Sequence, residues 1–278
     1  MILRKSPAEM EAMAKAGKIA AEVHEIIREA LDPGMSTLDI DRIAEEQIRK
    51  RGAVPSFKGY RGFTGSVCTS VNAEIVHGIP SADVVLAAGD LIKLDTGAYI
   101  DGYHSDTAVT WVVGGDEAAS EEARALVRRT REALWAGICE AHVGNRVTDI
   151  SAAVEARALP HSYGVVQEYV GHGVGRSLHE DPQVPNYGRP GRGPKLVPGL
   201  VLAVEPMFNL GTAETEVLDD DWTVVTADGR LSAHWEHTVA ITADGPRVLT
   251  ARSDEPEWPL ADPARVPGRA PVDAREAG

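Results

Sequence analysis

Cysteine is scarce: Cys68 and Cys139 are the only two in 278 residues. A single pair cannot build a disulfide framework, so a reducing, cytoplasmic compartment is expected. No apolar run approaches the roughly 18 to 20 residues that span a bilayer. The opening Met-Ile-Leu-Arg-Lys-Ser-Pro-Ala-Glu runs straight into an acidic amphipathic segment with no apolar core of a leader, so neither a membrane anchor nor a secretory signal is expected. Positive charge is short too, with 28 Lys and Arg against 42 Asp and Glu and a net charge of −14. Such a surface repels phosphate backbones and argues against direct nucleic-acid binding, while some of its carboxylates can hold cations instead. Several catalytic signatures are also missing. No His-Glu-x-x-His helix exists, because Gln183 stands four residues after His179. Gly171, Gly173 and Gly175 miss the dinucleotide spacing, and there is no Gly-x-x-x-x-Gly-Lys phosphate loop.

What is present is the composition of a soluble globular protein, 43% hydrophobic and 25% charged. The length suits two ordinary units or one large α/β domain. Ser6-Pro7-Ala8-Glu9 reads as a capping box, and the apolar face of Met10, Met13, Ile19, Ala20, Val23, Ile26 and Ile27 predicts a helix from Pro7 to Leu31. Pro33-Gly34 stops it, and Ser36-Thr37-Leu38-Asp39 opens a second helix that ends near Gly52. Strand-like runs follow at Val67 to Val71, Leu91 to Ile100 and Thr107 to Val113. A second pair of helices, Ala118 to Ala141 and Thr148 to Ala158, then precedes further strands through Thr242.

The halves echo one another. Gly34, Asp39-Ile40 and Glu45 recur as Gly144, Asp149-Ile150 and Glu155 at an offset of 110, which also carries Asp95 onto Glu205. The expectation is an α/β fold of duplicated helix-helix-sheet halves, about residues 3–113 and 114–250, around one curved mixed sheet within a single domain of residues 1–252. Residues 253–278, with Pro256, Pro259, Pro263, Pro267 and Pro271, read as a proline-rich tail.

Asp95 lies inside an apolar strand pattern, where an unpaired carboxylate would cost several kcal/mol. Asp101-Gly102 is a strong hairpin turn. With those two residues as the loop, Asp95 faces Ala108 and Asp106 becomes its diagonal neighbour on the same face, within reach of a shared metal site. A bulge in the hairpin would shift this register. Glu205, in Gly199-Leu-Val-Leu-Ala-Val-Glu-Pro, and Glu236, at the head of Glu-His-Thr-Val-Ala-Ile-Thr, repeat the pattern of an acid in an apolar strand. Four such acids require shared counter-charge. Histidine candidates stand at His172 and His179, in a glycine-rich stretch, and at His77, at the end of a strand. Four carboxylates and an imidazole suit two divalent transition ions, which lower the pKa of a bridging water and polarise a carbonyl for hydrolysis.

Together, Val76-His77-Gly78-Ile79-Pro80, Asp95 and Asp106 eleven residues apart, Gly171-His172-Gly173-Val174-Gly175-Arg176 through His179, Glu205-Pro206-Met207 and His234-Trp235-Glu236-His237-Thr238 resemble the methionine aminopeptidases. The spacing of 33 positions between His172 and Glu205 is similar to the type I branch. The resemblance implies the pita-bread fold of peptidase family M24 and a metalloprotease that removes the initiator methionine when the second residue is small. It implies Asp95, Asp106, His172, Glu205 and Glu236 as ligands of two divalent ions (Co, Mn, Fe or Zn), with Asp106 and Glu236 bridging. It implies Glu205 as a proton shuttle, and His77 and His179 as hydrogen-bond donors to the substrate amide and the oxyanion. Phe57, Tyr60, Phe63, Cys68, Leu178 and Trp222 match the methionine pocket, although Leu178 stands where an aromatic residue is expected. The implied partners are nascent polypeptide N-termini beginning with Met, met near the ribosome exit region by a cytoplasmic monomer.

Two rivals remain at this point. A proline-directed aminopeptidase or dipeptidase of the same fold would carry a large extra N-terminal domain, and only 76 residues precede His77. A metal-free binding relative would lack one or more ligands. His24, His104, His142, His161, His234 and His237 are expected to be structural or on the surface, and neither cysteine is expected to be a nucleophile.

Overall fold

A computed structural model describes residues 1–253 and Glu255. Of the proline-rich tail expected over 253–278, only Ser253 and Glu255 are described, and the rest lies outside the described residues. Helix α1 (Pro7–Ala30) begins at the expected box, with the Glu9 N–H donating to Ser6 Oγ at 3.3 Å and the Ser6 N–H to Glu9 Oε2 at 2.9 Å. Helix α2 (Thr37–Lys50) repeats the device with Ser36 and Asp39. Helix α3 (Glu121–Cys139) starts later than the sequence suggested, because Ser120 is the residue that caps it and Asp116–Ala118 forms a separate 3-10 turn. Helix α4 (Val147–Ala158) completes the set. No helix among the described residues is long and apolar enough to cross a membrane.

The internal echo is structural. Gly34 and Gly144, which end the first connection of each half, have φ of 96° and 101°, values that favour glycine. The bridge Ser36↔Val85 recurs as Arg146↔Lys195, displaced by the same offset in both partners. Among the described residues, the paired strands divide into five antiparallel sheets of three to five strands. The ladders are interrupted where the chain is diverted toward side-chain partners.

The clearest interruption divides the expected strand over residues 91–100. Leu91–Thr96 and Ala98–Ile100 are separate strands, broken at Gly97, where a Cβ would lie 2.7 Å from Ser56 Cβ and 2.8 Å from the Ser105 carbonyl oxygen. The hairpin register nevertheless runs unshifted through the break: Asp95 pairs with Ala108 and Ile100 with Tyr103. Strand alternation then sorts the side chains. Ile92 and Leu94 join the main core with Ile19, Ile27, Ile40, Leu134, Ile150, Leu202 and Val239, while Asp95 points to the other face. That core runs through both halves and all four helices. Each fully buried Leu or Ile contributes roughly 1.5 to 3 kcal/mol, enough to hold the opposite, polar face in place.

Candidate metal centre and substrate cavity

Each half delivers two carboxylates to that polar face. Asp95 lies within its strand, but the other three sit one residue outside strand ends, not inside strands as the sequence suggested: Asp106 before Thr107–Val112, Glu205 after Val201–Val204 and Glu236 before His237–Thr242. The cause is local. The Asp106 N–H donates to Thr238 Oγ1 at 3.0 Å, and Thr107 Oγ1 donates to the Glu236 carbonyl at 2.9 Å, so these backbone groups serve side chains across the junction of the halves. Pro206 follows Glu205 and has no N–H to offer a ladder.

His172 enters from the short strand Gly171–Gly173. Its flanking glycines are required by space: a Cβ on Gly171 would lie 2.3 Å from the Ala203 carbonyl oxygen, and one on Gly173 2.3 Å from that of Asp181. His172 Nδ1 donates to the Gly173 carbonyl at 2.9 Å, leaving the Nε2 lone pair facing Glu205 Oε1 at 3.5 Å and Asp106 Oδ2 at 3.7 Å. One ligand atom from each of Asp106, His172 and Glu236 lies within 4.8 Å of the others.

The electrostatics suit a cation. Burial pushes Asp95 up to about 7, partly offset by its hydrogen bond with Asp106. Burial, then the charges of Asp95 and Glu205, raise Asp106 far above the usual carboxylate range. Burial and Asp95 raise Glu205 to about 8, and burial with the charges of Asp106, Asp95 and Glu205 raises Glu236 well above the usual carboxylate range. Asp95 Oδ1, Asp106 Oδ1 and Glu236 Oε1 are buried without any hydrogen-bond partner. Native proteins rarely strand several such oxygens together. His172, pushed down to about 3 by burial and then by His179, stays neutral and able to ligate. Four carboxylates and one imidazole fit divalent transition ions.

A cavity of about 390 Å³ opens onto these groups, and all thirteen residues singled out by the sequence line it: Asp95, Asp106, His172, Glu205, Glu236, His77, His179, Phe57, Tyr60, Phe63, Cys68, Leu178 and Trp222. Phe57, Phe63, Cys68 and Leu178 form one buried apolar cluster, with Tyr60 and Trp222 against it. Leu178, the departure from the expected aromatic, therefore still contributes apolar wall. Burial and the surrounding carboxylates raise the Cys68 thiol, so it stays protonated and is no nucleophile. His77 adopts φ of 62° and meets Tyr169 and Trp222 edge to face. His179 Nδ1 lies 2.9 Å from the Tyr60 hydroxyl. Burial lowers both imidazoles to about 4, which keeps them neutral at neutral pH, each with one N–H.

Sequence reasoning missed some of the wall. Glu168, Tyr169 and Val170 also line the cavity, next to the glycine-rich stretch, whose proximity was the available signal. His234, expected to be structural or on the surface, is fully buried with neither ring nitrogen hydrogen-bonded, and its Nε2 lies 3.6 Å from Glu205 Oε2. Its place two residues before Glu236, within the motif that carries the resemblance, was the available hint.

Residues 11–243 match the model of Metallopeptidase family M24. The chain is 52% identical over 250 residues to "Methionine aminopeptidase" of Clostridium acetobutylicum, covering 90% of this chain and 99% of that protein. It superposes on the crystal structure of methionine aminopeptidase from Thermotoga maritima with a TM-score of 0.88 and 42% identity, covering 91% of this chain and all of the other. The Xaa-Pro dipeptidase from Bacillus anthracis shares the fold at a TM-score of 0.72 and 26% identity, but only 63% of its length is covered. At this identity over nearly its whole length, the chain belongs to metallopeptidase family M24, among the methionine aminopeptidases.

Proposed function

We propose that this protein removes the initiator methionine from nascent polypeptides whose second residue is small, using two divalent ions held by Asp95, Asp106, His172, Glu205 and Glu236. The observation that carries the proposal is the set of three buried carboxylate oxygens without partners, on Asp95, Asp106 and Glu236, at the floor of an apolar-walled cavity. When bound, the ions supply an activated water and a Lewis acid for the scissile carbonyl, and Co, Mn, Fe and Zn all suit this ligand set.

The chain's own residues supply the rest. Glu205 doubles as the proton shuttle, taking up and passing a proton at its Oε atoms. Neutral His77 and His179 offer N–H donors to the substrate amide and to the developing oxyanion. The cluster of Phe57, Phe63, Cys68 and Leu178 receives the methionine thioether, for which aromatic faces and a soft thiol are suitable company. Two free, buried cysteines support placing this activity in the cytoplasm.

Protein reloaded with manganese is offered Met-Ala-Ser and, separately, Gly-Pro. Release of methionine from the first and no cleavage of the second supports the proposal, and the opposite pattern replaces it with the proline-directed alternative. Neither cleavage, from folded and metal-loaded protein, supports a binding relative.

A further inference from the structure

Glu236 has a chain neighbour, His237, that does not face the cavity. Its Nε2 lies 3.0 Å from Glu255 Oε2, and its Nδ1 lies 2.9 Å from Thr250 Oγ1, which also accepts from the Thr238 N–H at 3.0 Å. Arg252 binds the same carboxylate, donating from Nη2 to Glu255 Oε1 at 2.7 Å and from its backbone N–H to Oε2 at 3.0 Å. With its other terminal nitrogen, Arg252 donates to Thr107 Oγ1 at 3.1 Å. That hydroxyl is the one that donates to the Glu236 carbonyl, and the Thr107 carbonyl accepts from His24 Nε2 at 3.0 Å. The Arg252 and Glu255 side chains are 3% and 0% exposed.

The network therefore runs from the end of the described chain to the backbones of Asp106-Thr107 and Glu236-His237, one from each half. Arg252, Glu255, His237 and Thr107 do not line the cavity, so they do not touch substrate. We infer that Arg252 and Glu255 form a clasp of positioning residues that holds Asp106 and Glu236 at the separation the metal ions require. This rests on the proposed metal reading. A buried network of charged hydrogen bonds rigidifies what it touches, and partners behind metal ligands commonly change affinity or activity by about 10- to 100-fold. Without the clasp, the Glu236 backbone keeps its bonds to the Ala108 carbonyl at 3.0 Å and from the Thr107 hydroxyl at 2.9 Å, but the Thr107 hydroxyl and His237 lose the charged groups that fix them.

Full-length wild type, Glu255→Ala and Arg252→Lys are stripped with a chelator and titrated with Mn²⁺ by calorimetry, at a temperature where circular dichroism shows each folded. Hydrolysis of Met-Ala-Ser is followed in parallel. Glu11→Ala, which removes an exposed ion pair with Arg247, serves as the control. Glu255→Ala is expected to raise the Mn²⁺ dissociation constant about tenfold or more and to lower kcat with little change in KM. Arg252→Lys, which keeps the charge but not the two-pronged link, should show a smaller loss, and it decides the matter if Glu255→Ala does not fold. Wild-type affinity in the folded variants would overturn the clasp and leave the metal reading standing. Wild-type protein that bound no Mn²⁺ would overturn both.

Discussion

Thr238 and Asp106 hold one another through a single hydroxyl: Thr238 Oγ1 accepts from the Asp106 N–H at 3.0 Å and donates to the Asp106 carbonyl at 2.7 Å. One residue comes from each half of the duplicated fold, so the bond is a seam directly beneath two of the carboxylates. Thr238→Val keeps the shape and removes both hydrogen bonds, leaving a buried donor and acceptor unpaired at about 1 to 3 kcal/mol each. Denaturant unfolding of the apoprotein is expected to show a loss of about 2 to 6 kcal/mol, and an unchanged midpoint would show the seam to be dispensable.

The Glu255 carboxyl makes stability depend on pH. Burial pushes its pKa up, but His237 and Arg252 outweigh burial and hold it well below the usual carboxylate range. His237 is itself lowered, by burial and by Arg252 against the pull of Glu255, so at neutral pH Arg252 is the closer cation, with Arg131 of α3 at 3.4 Å. A depressed folded pKa gives stability that is present above the unfolded value, about 4.3, and is lost as pH falls through the folded one. Wild type should therefore exceed Glu255→Gln in stability at neutral pH, with the gap narrowing below about pH 4. A gap that stayed constant would mean the carboxylate charge is not what stabilises.

His179 is expected to act on the reaction more than on the metal. His179→Ala removes an N–H donor from the cavity without removing a proposed ligand. It should lower kcat by about 10²-fold or more while metal content, measured by atomic emission, stays at the wild-type level. Metal lost in proportion to activity would move His179 into the ligand set.

Much of this site could be read from the chain, because buried charge is conspicuous in an apolar pattern. Asp95 stood out within Leu91–Thr96, and the Asp101-Gly102 turn fixed the register that sets it opposite Ala108. Glu205 and Glu236 carried the same contrast, and the echo at a constant offset reappeared in the paired bridges of Ser36 and Arg146. Contacts that depend on long-range backbone bonds were not legible. Nothing local in Thr107, Thr238 or Glu255 announces that they meet Glu236, Asp106 and His237, and Glu255 read as part of a proline-rich tail. The division of the sheet at Gly97 likewise follows from Ser56 packing against it, 41 residues earlier in the chain.

His234 illustrates the same limit and offers its own test. Both ring nitrogens are buried without a hydrogen-bond partner, so His234→Leu removes no hydrogen bond. The melting temperature of metal-stripped His234→Leu is expected to match or exceed that of wild type. A clear fall would reveal a bond to the ring that the apoprotein already makes.

Burial raises the four carboxylates of the cavity above their usual range, so divalent ions that bind there displace protons. Calorimetric titration of chelator-stripped protein with Mn²⁺ measures this directly, with Asp106→Ala and Glu236→Ala beside the wild type. The expected result is Mn²⁺ binding with proton release in the wild type, and loss of both in each variant. Wild-type protein that took up no metal, or folded variants that bound it equally well, would contradict the account.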